Sequence, residues 1–294
     1  MRVAALLPAA TDIVLALGAG DQLVAVTHAC VVPPTLGGVP RVTRSRVVGA
    51  SASALDAHVS DLASAGAPMF DVDEPLLASR HPEVILTQAV CEVCAVREAD
   101  ARAVAARLHP PSRVATLGAS TVEGILADIL TVASALHLAD EGEELVLGLR
   151  SRMAAVHRRL KAEQAPRPRV LVLEWTDPPF NAGHWVPDMV RRAGGLEVLG
   201  RAGEISRRVS IDEIQAANPD VVVIAPCGYA MADALREVSP WPGANATPVW
   251  VIDANRLTSS PGPGVVHGIE VLARILHPAL FGAPSPRDAV QITR

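Results

Sequence analysis

Four cysteines and one histidine are the first residues in this sequence whose types and spacing suit chemistry. Cys91-Glu92-Val93-Cys94 sets two thiols close together, and His28, Cys30 and Cys227 are further soft donors. Thiolates and imidazole together bind borderline metals such as zinc. A Cys-x-x-Cys pair that comes after a strand and before a helix can instead act as a redox couple. Zinc sites usually carry a second paired motif, and this sequence has a single one. A third reading therefore stays open, in which these are small residues packed near a cleft.

Aromatic residues make up only 3% of the chain, with four Trp, three Phe and one Tyr, so their positions are informative. Trp175, Phe180 and Trp185 fall within one short segment, together with Asp177, Asn181 and His184. Pro and Gly punctuate this segment, which reads as a loop too polar for a core element. Rings with polar neighbours suit a large, planar, polar-edged ligand. The alternative is a stiff loop with its rings packed inside. Arg44 and Arg46, in Thr43-Arg44-Ser45-Arg46, could meet an anionic group, though a solvated loop is the default reading.

Motifs of the common enzyme classes do not occur. The sequence has no Gly-x-Gly-x-x-Gly after a strand, no Gly-x-x-x-x-Gly-Lys-Ser/Thr and no Gly-x-Ser-x-Gly. The reading is therefore a binding protein rather than an enzyme.

The elements that must position these residues alternate. Short apolar runs rich in β-branched residues and leucine occur at 3–7, 23–26, 84–87, 114–117, 170–174, 221–224 and 249–252. Being apolar on both faces, they predict buried parallel strands. Helical patterns at 11–17, 97–108, 121–138, 210–217 and 265–276 lie between them, which predicts an α/β fold. Ligands of open parallel sheets bind beyond the carboxyl ends of the strands. His28 and Cys30, Gln88 with Cys91 and Cys94, the Trp175–Trp185 segment, and Cys227 with Tyr229 all come directly after strands. The topology should gather them.

Residues 140–164 contain no proline and place Leu145, Leu149, Met153, Val156 and Leu160 on one helical face. Acidic residues open the run and basic residues close it, which complements the helix dipole. The helix would span roughly 37 Å. We read it as a connector over 139–166 between an N-terminal α/β lobe, 1–138, and a C-terminal α/β lobe, 167–294. A weak repeat supports two similar lobes: residues 73–87 and 212–224 each run from an acidic start through a short helix and Pro-acid to a buried strand.

Half the residues are hydrophobic and the formal net charge is −5, so a folded protein is expected and nucleic acid is not an expected partner. No apolar run approaches the ~20 residues of a membrane helix, so no membrane insertion is expected. Pro8 and Asp12 interrupt the apolar start, which reads as strand and helix rather than a signal peptide. A cytoplasmic location is therefore expected, with a periplasmic or cell-surface one as the alternative.

Several strings together resemble a known family. Leu7-Pro8-Ala9-Ala10-Thr11-Asp12, Thr27-His28-Ala29-Cys30, Thr43-Arg44-Ser45-Arg46, the string from Thr87 to Val96, that from Glu174 to Met189, Pro226-Cys227-Gly228 and Ser260-Pro261-Gly262-Pro263 are its carriers. They are similar to the class III substrate-binding proteins of ABC importers, which bind cobalamin and iron–siderophore complexes. The nearest likeness is a branch described as cobalamin-binding, many members of which lack a signal peptide. Two departures stand out. His28-Ala29-Cys30-Val31-Val32 replaces the family's His-Glu-Cys-Asp-Tyr, and Leu257-Thr258 replaces an aromatic pair.

The resemblance implies two Rossmann-like lobes with parallel sheets, joined by one long helix, and a ligand cleft between them. It implies a non-enzymatic binder of cobalamin or a related corrinoid or metal chelate. Trp175, Asp177, Phe180, His184, Trp185, His28, Gln88, Cys227, Tyr229 and Arg44 are the candidate ligand contacts, and Cys30, Cys91 and Cys94 the candidate thiolates for a bound metal. An ABC permease is the implied partner, docked through one acid per lobe, Glu74 and Asp212. Acids at helix starts also serve as ordinary dipole partners. The competing function is a cytoplasmic metal- or redox-handling protein that uses Cys30, Cys91, Cys94 and Cys227.

Overall fold

The computed structural model describes residues 1–49, 52–90, 95–238 and 247–292. The chain forms two compact units. Met1–Ala119 with Gly124–Val146 makes the N-terminal unit, and Ser120–Glu123 with Leu147–Arg294 makes the C-terminal unit.

The strands of the N-terminal unit are β1 (Val3–Ala5), β2 (Leu23–Val26), β3 (Thr43–Ser45), β4 (Phe70–Val72), β5 (Val84–Gln88) and β6 (Arg113–Leu117). Its helices are α1 (Pro8–Ala16), α2 (Ala52–Ser64), α3 (Glu74–Ser79), α4 (Glu98–Arg107) and most of α5 (Val122–Ala135). A parallel sheet runs in the order β2-β1-β5-β6. Every residue of β1 and β5 is buried, as expected of central strands apolar on both faces.

Two sequence expectations need correction in this unit. The first strand stops at Ala5 and α1 begins at Pro8, not at residue 11. Proline lacks the N–H a strand needs but suits the first helical turn. Thr43-Arg44-Ser45 is not a loop: it pairs antiparallel with β4, Thr43 opposite Val72 and Ser45 opposite Phe70. Asp73 caps α3 by accepting the Leu76 N–H at 2.9 Å.

A single helix, α6 (Ala139–Ala162), runs through the residues read as a long helix, with Asp140 and Glu141 in its first turn and Arg159 and Lys161 in its last. Val146, Leu149, Met153 and Val156 are buried, while Leu145 and Leu160 are half-buried. The buried face is thus rotated by one residue at its start. Gly142 explains the start, because a Cβ there would lie 2.4 Å from the Ala133 Cβ. Only glycine lets the first turn of α6 approach α5 this closely.

The C-terminal unit contains β7 (Arg169–Thr176), β8 (Pro179–Asn181), β9 (Leu196–Glu197), β10 (Val221–Ile224), β11 (Val249–Ile252) and β12 (Ala289–Ile292). Its further helices are α7 (Val186–Arg192), α8 (Ile211–Ala217), α9 (Met231–Glu237), α10 (Ala254–Leu257), α11 (Gly264–Leu276) and α12 (Pro278–Phe281). The sheet order is β12-β11-β10-β7-β8, with β9 beside the start of β7. β7, β9, β10 and β11 are parallel, whereas β8 and β12 are antiparallel edges. Leu171, Leu173, Val222, Ile224, Val249 and Val251 fill one core face against Val209, Ile214 and Ala234.

The segment after residue 174 needs correction as well. It is a β-hairpin, not a loop: β7 continues to Thr176 and returns as β8, setting Trp175 opposite Phe180. Helix α8 opens on a capping box, in which the Ser210 side chain accepts the Glu213 N–H and the Glu213 carboxylate accepts the Ser210 N–H at 2.8 Å. Buried Asp188 accepts the Val122 N–H at 3.2 Å and pairs with Arg191 and Arg192, which ties residues 120–123 into this unit. Among the described residues, no helix is long and apolar enough to cross a membrane.

Candidate functional site

In the N-terminal unit, β2 ends in a turn over residues 27–30. The Arg41 guanidinium closes this turn by donating to the carbonyls of Thr27, His28 and Cys30 at 3.3, 3.2 and 2.8 Å. The Thr43 hydroxyl accepts the His28 backbone N–H at 3.0 Å, lies 2.9 Å from His28 Nδ1, and donates to Thr27 Oγ1 at 2.8 Å. The His28 ring tilts against Phe70 at 5.6 Å between centroids. Burial and the Arg41 charge lower its pKa, so the imidazole is neutral near neutral pH.

Cys30 is buried, its Sγ 3.0 Å from the Thr11 hydroxyl. Burial pushes its thiol up to about 11, so it is a protonated packing group rather than a ready thiolate. Cys91 and Cys94 lie outside the described residues. Among the described residues, no group of three or more His, Cys, Asp or Glu comes together as a metal site. Gln88 is buried at the end of β5 and accepts the Val90 N–H at 2.9 Å. Arg44 is exposed on β3.

In the C-terminal unit, Trp175 at the end of β7 meets Tyr229 beyond β10 edge to face. Both rings are half-buried. Phe180 lies across the hairpin from Trp175, with the Arg208 guanidinium 5.7 Å from its ring centroid. Asp177 is exposed at the hairpin tip. Cys227 is half-buried and its N–H donates to the Glu174 carbonyl at 3.2 Å. A shallow pocket of about 320 Å³ is lined by Gly228, Tyr229, Asp233 and Arg236.

Trp185 departs from the expected role. Its indole is buried and its Nε1–H donates to the Thr258 carbonyl at 2.8 Å. It therefore anchors the unit's interior instead of offering a free face, because an indole N–H taken from water must find an acceptor. His184 leans on it at 5.6 Å and sits at a φ of 52°. That backbone is held by two bonds, His184 N–H to the Glu204 carbonyl at 2.6 Å and Gly203 N–H to the His184 carbonyl at 2.8 Å. Burial lowers the His184 pKa. Gly183 is needed here, since a Cβ would fall 2.3 Å from the Ser206 nitrogen.

Sequence reasoning missed Glu174. Its carboxyl is enclosed, accepts the Gly183 N–H at 3.0 Å and a Ser206 hydrogen bond, and is pushed up by burial. An acid at the end of an apolar strand was the available signal. Thr27, Thr43 and Arg41 were also missed as organisers of His28, since nothing in their spacing marks the turn they close. Glu74 pairs with Arg107 at 2.6 Å at the start of α3, and Asp212 is exposed in the first turn of α8.

Residues 3–247 match the family model described as periplasmic binding protein. The chain belongs to the periplasmic binding protein family. It is a solute-binding protein of the class III ABC-importer type. Family likeness extends to solved structures. A periplasmic heme-binding protein from Pseudomonas aeruginosa is 20% identical, with a TM-score of 0.73 over 100% of this chain and 98% of that one. The periplasmic heme-binding protein BhuT, solved with two hemes, is 23% identical, with a TM-score of 0.68 over 95% and 98%. The periplasmic vitamin B12 binding protein BtuF of Vibrio cholerae is 18% identical, with a TM-score of 0.65 over 94% and 96%. At these identities the likeness is one of fold. Comparison with curated proteins gives no match.

Proposed function

We propose that this protein is a non-enzymatic binder of a planar metal chelate, with cobalamin or a related corrinoid as the leading candidate and heme as its nearest competitor. One observation carries the reading: Trp175 and the chain's single tyrosine, Tyr229, converge at the carboxyl ends of β7 and β10 with both rings partly open. Paired aromatic rings at the ends of parallel strands suit a flat, polar-edged ligand. The fold relatives named as heme and vitamin B12 binders support the same class.

The competing reading, a metal- or redox-handling protein built on Cys30, Cys91, Cys94 and Cys227, gains no support from Cys30, whose thiol is enclosed against Thr11. We further propose that the protein works with an ABC permease through Glu74 and Asp212. The relatives named as periplasmic favour a periplasmic or cell-surface location.

The test is a titration of the full chain with cyanocobalamin, diaquocobinamide and hemin, read by tryptophan fluorescence and visible absorbance. Saturable quenching with one of the three is expected. Failure of all three to bind would overturn the reading.

A further inference from the structure

We infer that Glu174 is a positioning residue for the aromatic edge of the proposed site: its side chain sets the direction in which Trp175 leaves β7, and its carbonyl holds the turn that carries Tyr229. The inference rests on the reading of Trp175 and Tyr229 as ligand contacts given above.

The register of the hairpin is the first observation. Leu173 lies opposite Asn181 and Trp175 opposite Phe180, so two steps along β7 match one step along β8. Glu174 is the extra residue of a β-bulge. The hydrogen bonds on the other side of β7 agree. The Leu173 carbonyl accepts the Ala225 N–H at 2.8 Å, and the Glu174 carbonyl accepts the Cys227 N–H at 3.2 Å. Successive carbonyls of a regular strand point to opposite sides. Here two in a row point toward the chain that follows β10. A bulge bends its strand and re-aims the side chain beyond it, which in this strand is Trp175.

The Glu174 side chain pins the bulge. Its Oε1 accepts the Gly183 N–H at 3.0 Å, and Ser206 is its second hydrogen-bond partner. Both anchors are fixed independently of it. Gly183 packs so closely on residues 204–206 that a Cβ would lie 2.3 Å from the Ser206 nitrogen. Beside them the Arg207 N–H donates to Asn181 Oδ1 at 2.7 Å, and the Asn181 N–H donates to the Arg207 carbonyl at 3.1 Å. The carboxyl thus ties the irregular end of β7 to a braced segment. No basic side chain pairs with it among the described residues, and burial pushes its pKa up, which favours the neutral acid. Glutamine keeps the length and the acceptor oxygen of that form. On the β10 side, Tyr229 follows Cys227 in the same turn, with its N–H on the Pro226 carbonyl at 3.1 Å. One residue therefore holds the supports of both rings.

The test uses the full chain labelled with 5-fluorotryptophan and read by 19F NMR, together with titration by cyanocobalamin and by hemin. The Trp175 and Trp185 resonances are those that Trp175→Phe and Trp185→Phe remove. Glu174→Ala should shift the Trp175 resonance and leave that of Trp185 in place. It should also weaken binding of the chelate that the wild type takes by about tenfold, the scale of a misplaced aromatic anchor. Glu174→Gln should restore both the resonance and the affinity. Ser206→Ala removes one of the two bonds and should move the Trp175 resonance by less, which keeps the inference testable if Glu174→Ala does not fold.

Wild-type affinity or an unmoved Trp175 resonance in a folded Glu174→Ala chain, or failing that an unmoved resonance in Ser206→Ala, would overturn the inference and leave the proposed function standing. Binding by Glu174→Gln as weak as that of Glu174→Ala would make the carboxylate itself a ligand contact and overturn the positioning role. Absence of wild-type binding to both chelates would overturn the function and this inference together.

Discussion

The rings of Trp175 and Tyr229 meet with centroids 5.4 Å apart and planes at 75°, although 53 residues of sequence lie between them. Parallel pairing makes the contact. β7 and β10 lie side by side with Val170 opposite Val221 and Leu173 opposite Ile224, so the residues that follow these paired positions emerge at one end of the sheet. An edge-to-face pair of this kind contributes roughly 0.5–1.5 kcal/mol beyond its burial.

Trp175→Ala and Tyr229→Ala should each weaken chelate binding by about 1–3 kcal/mol, as loss of an aromatic anchor does. The double variant should lose less than the sum, because the two rings touch. A binding titration of the two single variants and the double variant checks this. Unchanged affinity in both single variants would remove the aromatic edge from the site.

Trp185 should behave oppositely. Trp185→Ala is expected to cost about 3–5 kcal/mol of stability, the range for a buried aromatic. Trp185→Phe should cost about 1–3 kcal/mol, because it leaves the Thr258 carbonyl without its donor. Urea unfolding measures both. Full stability with lost ligand affinity would instead make Trp185 a ligand contact.

The Glu197 carboxyl accepts four backbone N–H groups, from Val172, Val198, Leu199 and Gly200, yet burial outweighs them and pushes its pKa up to about 7. An unfolded glutamate titrates at about 4.3. Between these values the folded state holds the extra proton, so this group's contribution to stability falls as pH rises from about 4 to about 7 and is flat on either side. Glu197→Gln should remove that part of the slope in unfolding free energy measured against pH. A slope unchanged by the substitution would assign it to other groups.

Charge reversal at Glu74 and Asp212 should leave chelate affinity unchanged in solution and lower stability by less than about 1 kcal/mol, the scale of exposed pairs and helix-start charges. Loss of cyanocobalamin uptake by whole cells carrying both reversals, with affinity intact, is the expected signature of permease docking. Normal uptake would leave both residues as helix-start acids, with Glu74 also paired to Arg107.

Local pattern alone determined the α/β class. Runs such as Val221–Ile224 and Val249–Ile252 are apolar on both faces, and only a sheet covered on both sides buries them. The long helix was equally legible, because a four-and-three apolar spacing with charges matched to the dipole needs no distant partner to be recognised. The strand ends pointed to the neighbourhood of the proposed site for the same reason.

Tertiary structure decided what each side chain does there. Trp185 looked like Trp175 in the sequence, but its N–H meets a carbonyl 73 residues away and its ring is enclosed. Cys30 looked like a metal donor until Thr11, 19 residues before it, claimed the sulfur. His28 is held in place only because β3 carries Thr43 to its backbone N–H and its ring. Each outcome depends on which groups meet across long stretches of chain and whether water is shut out there. Those are properties of packing, and residue type and local spacing do not encode them.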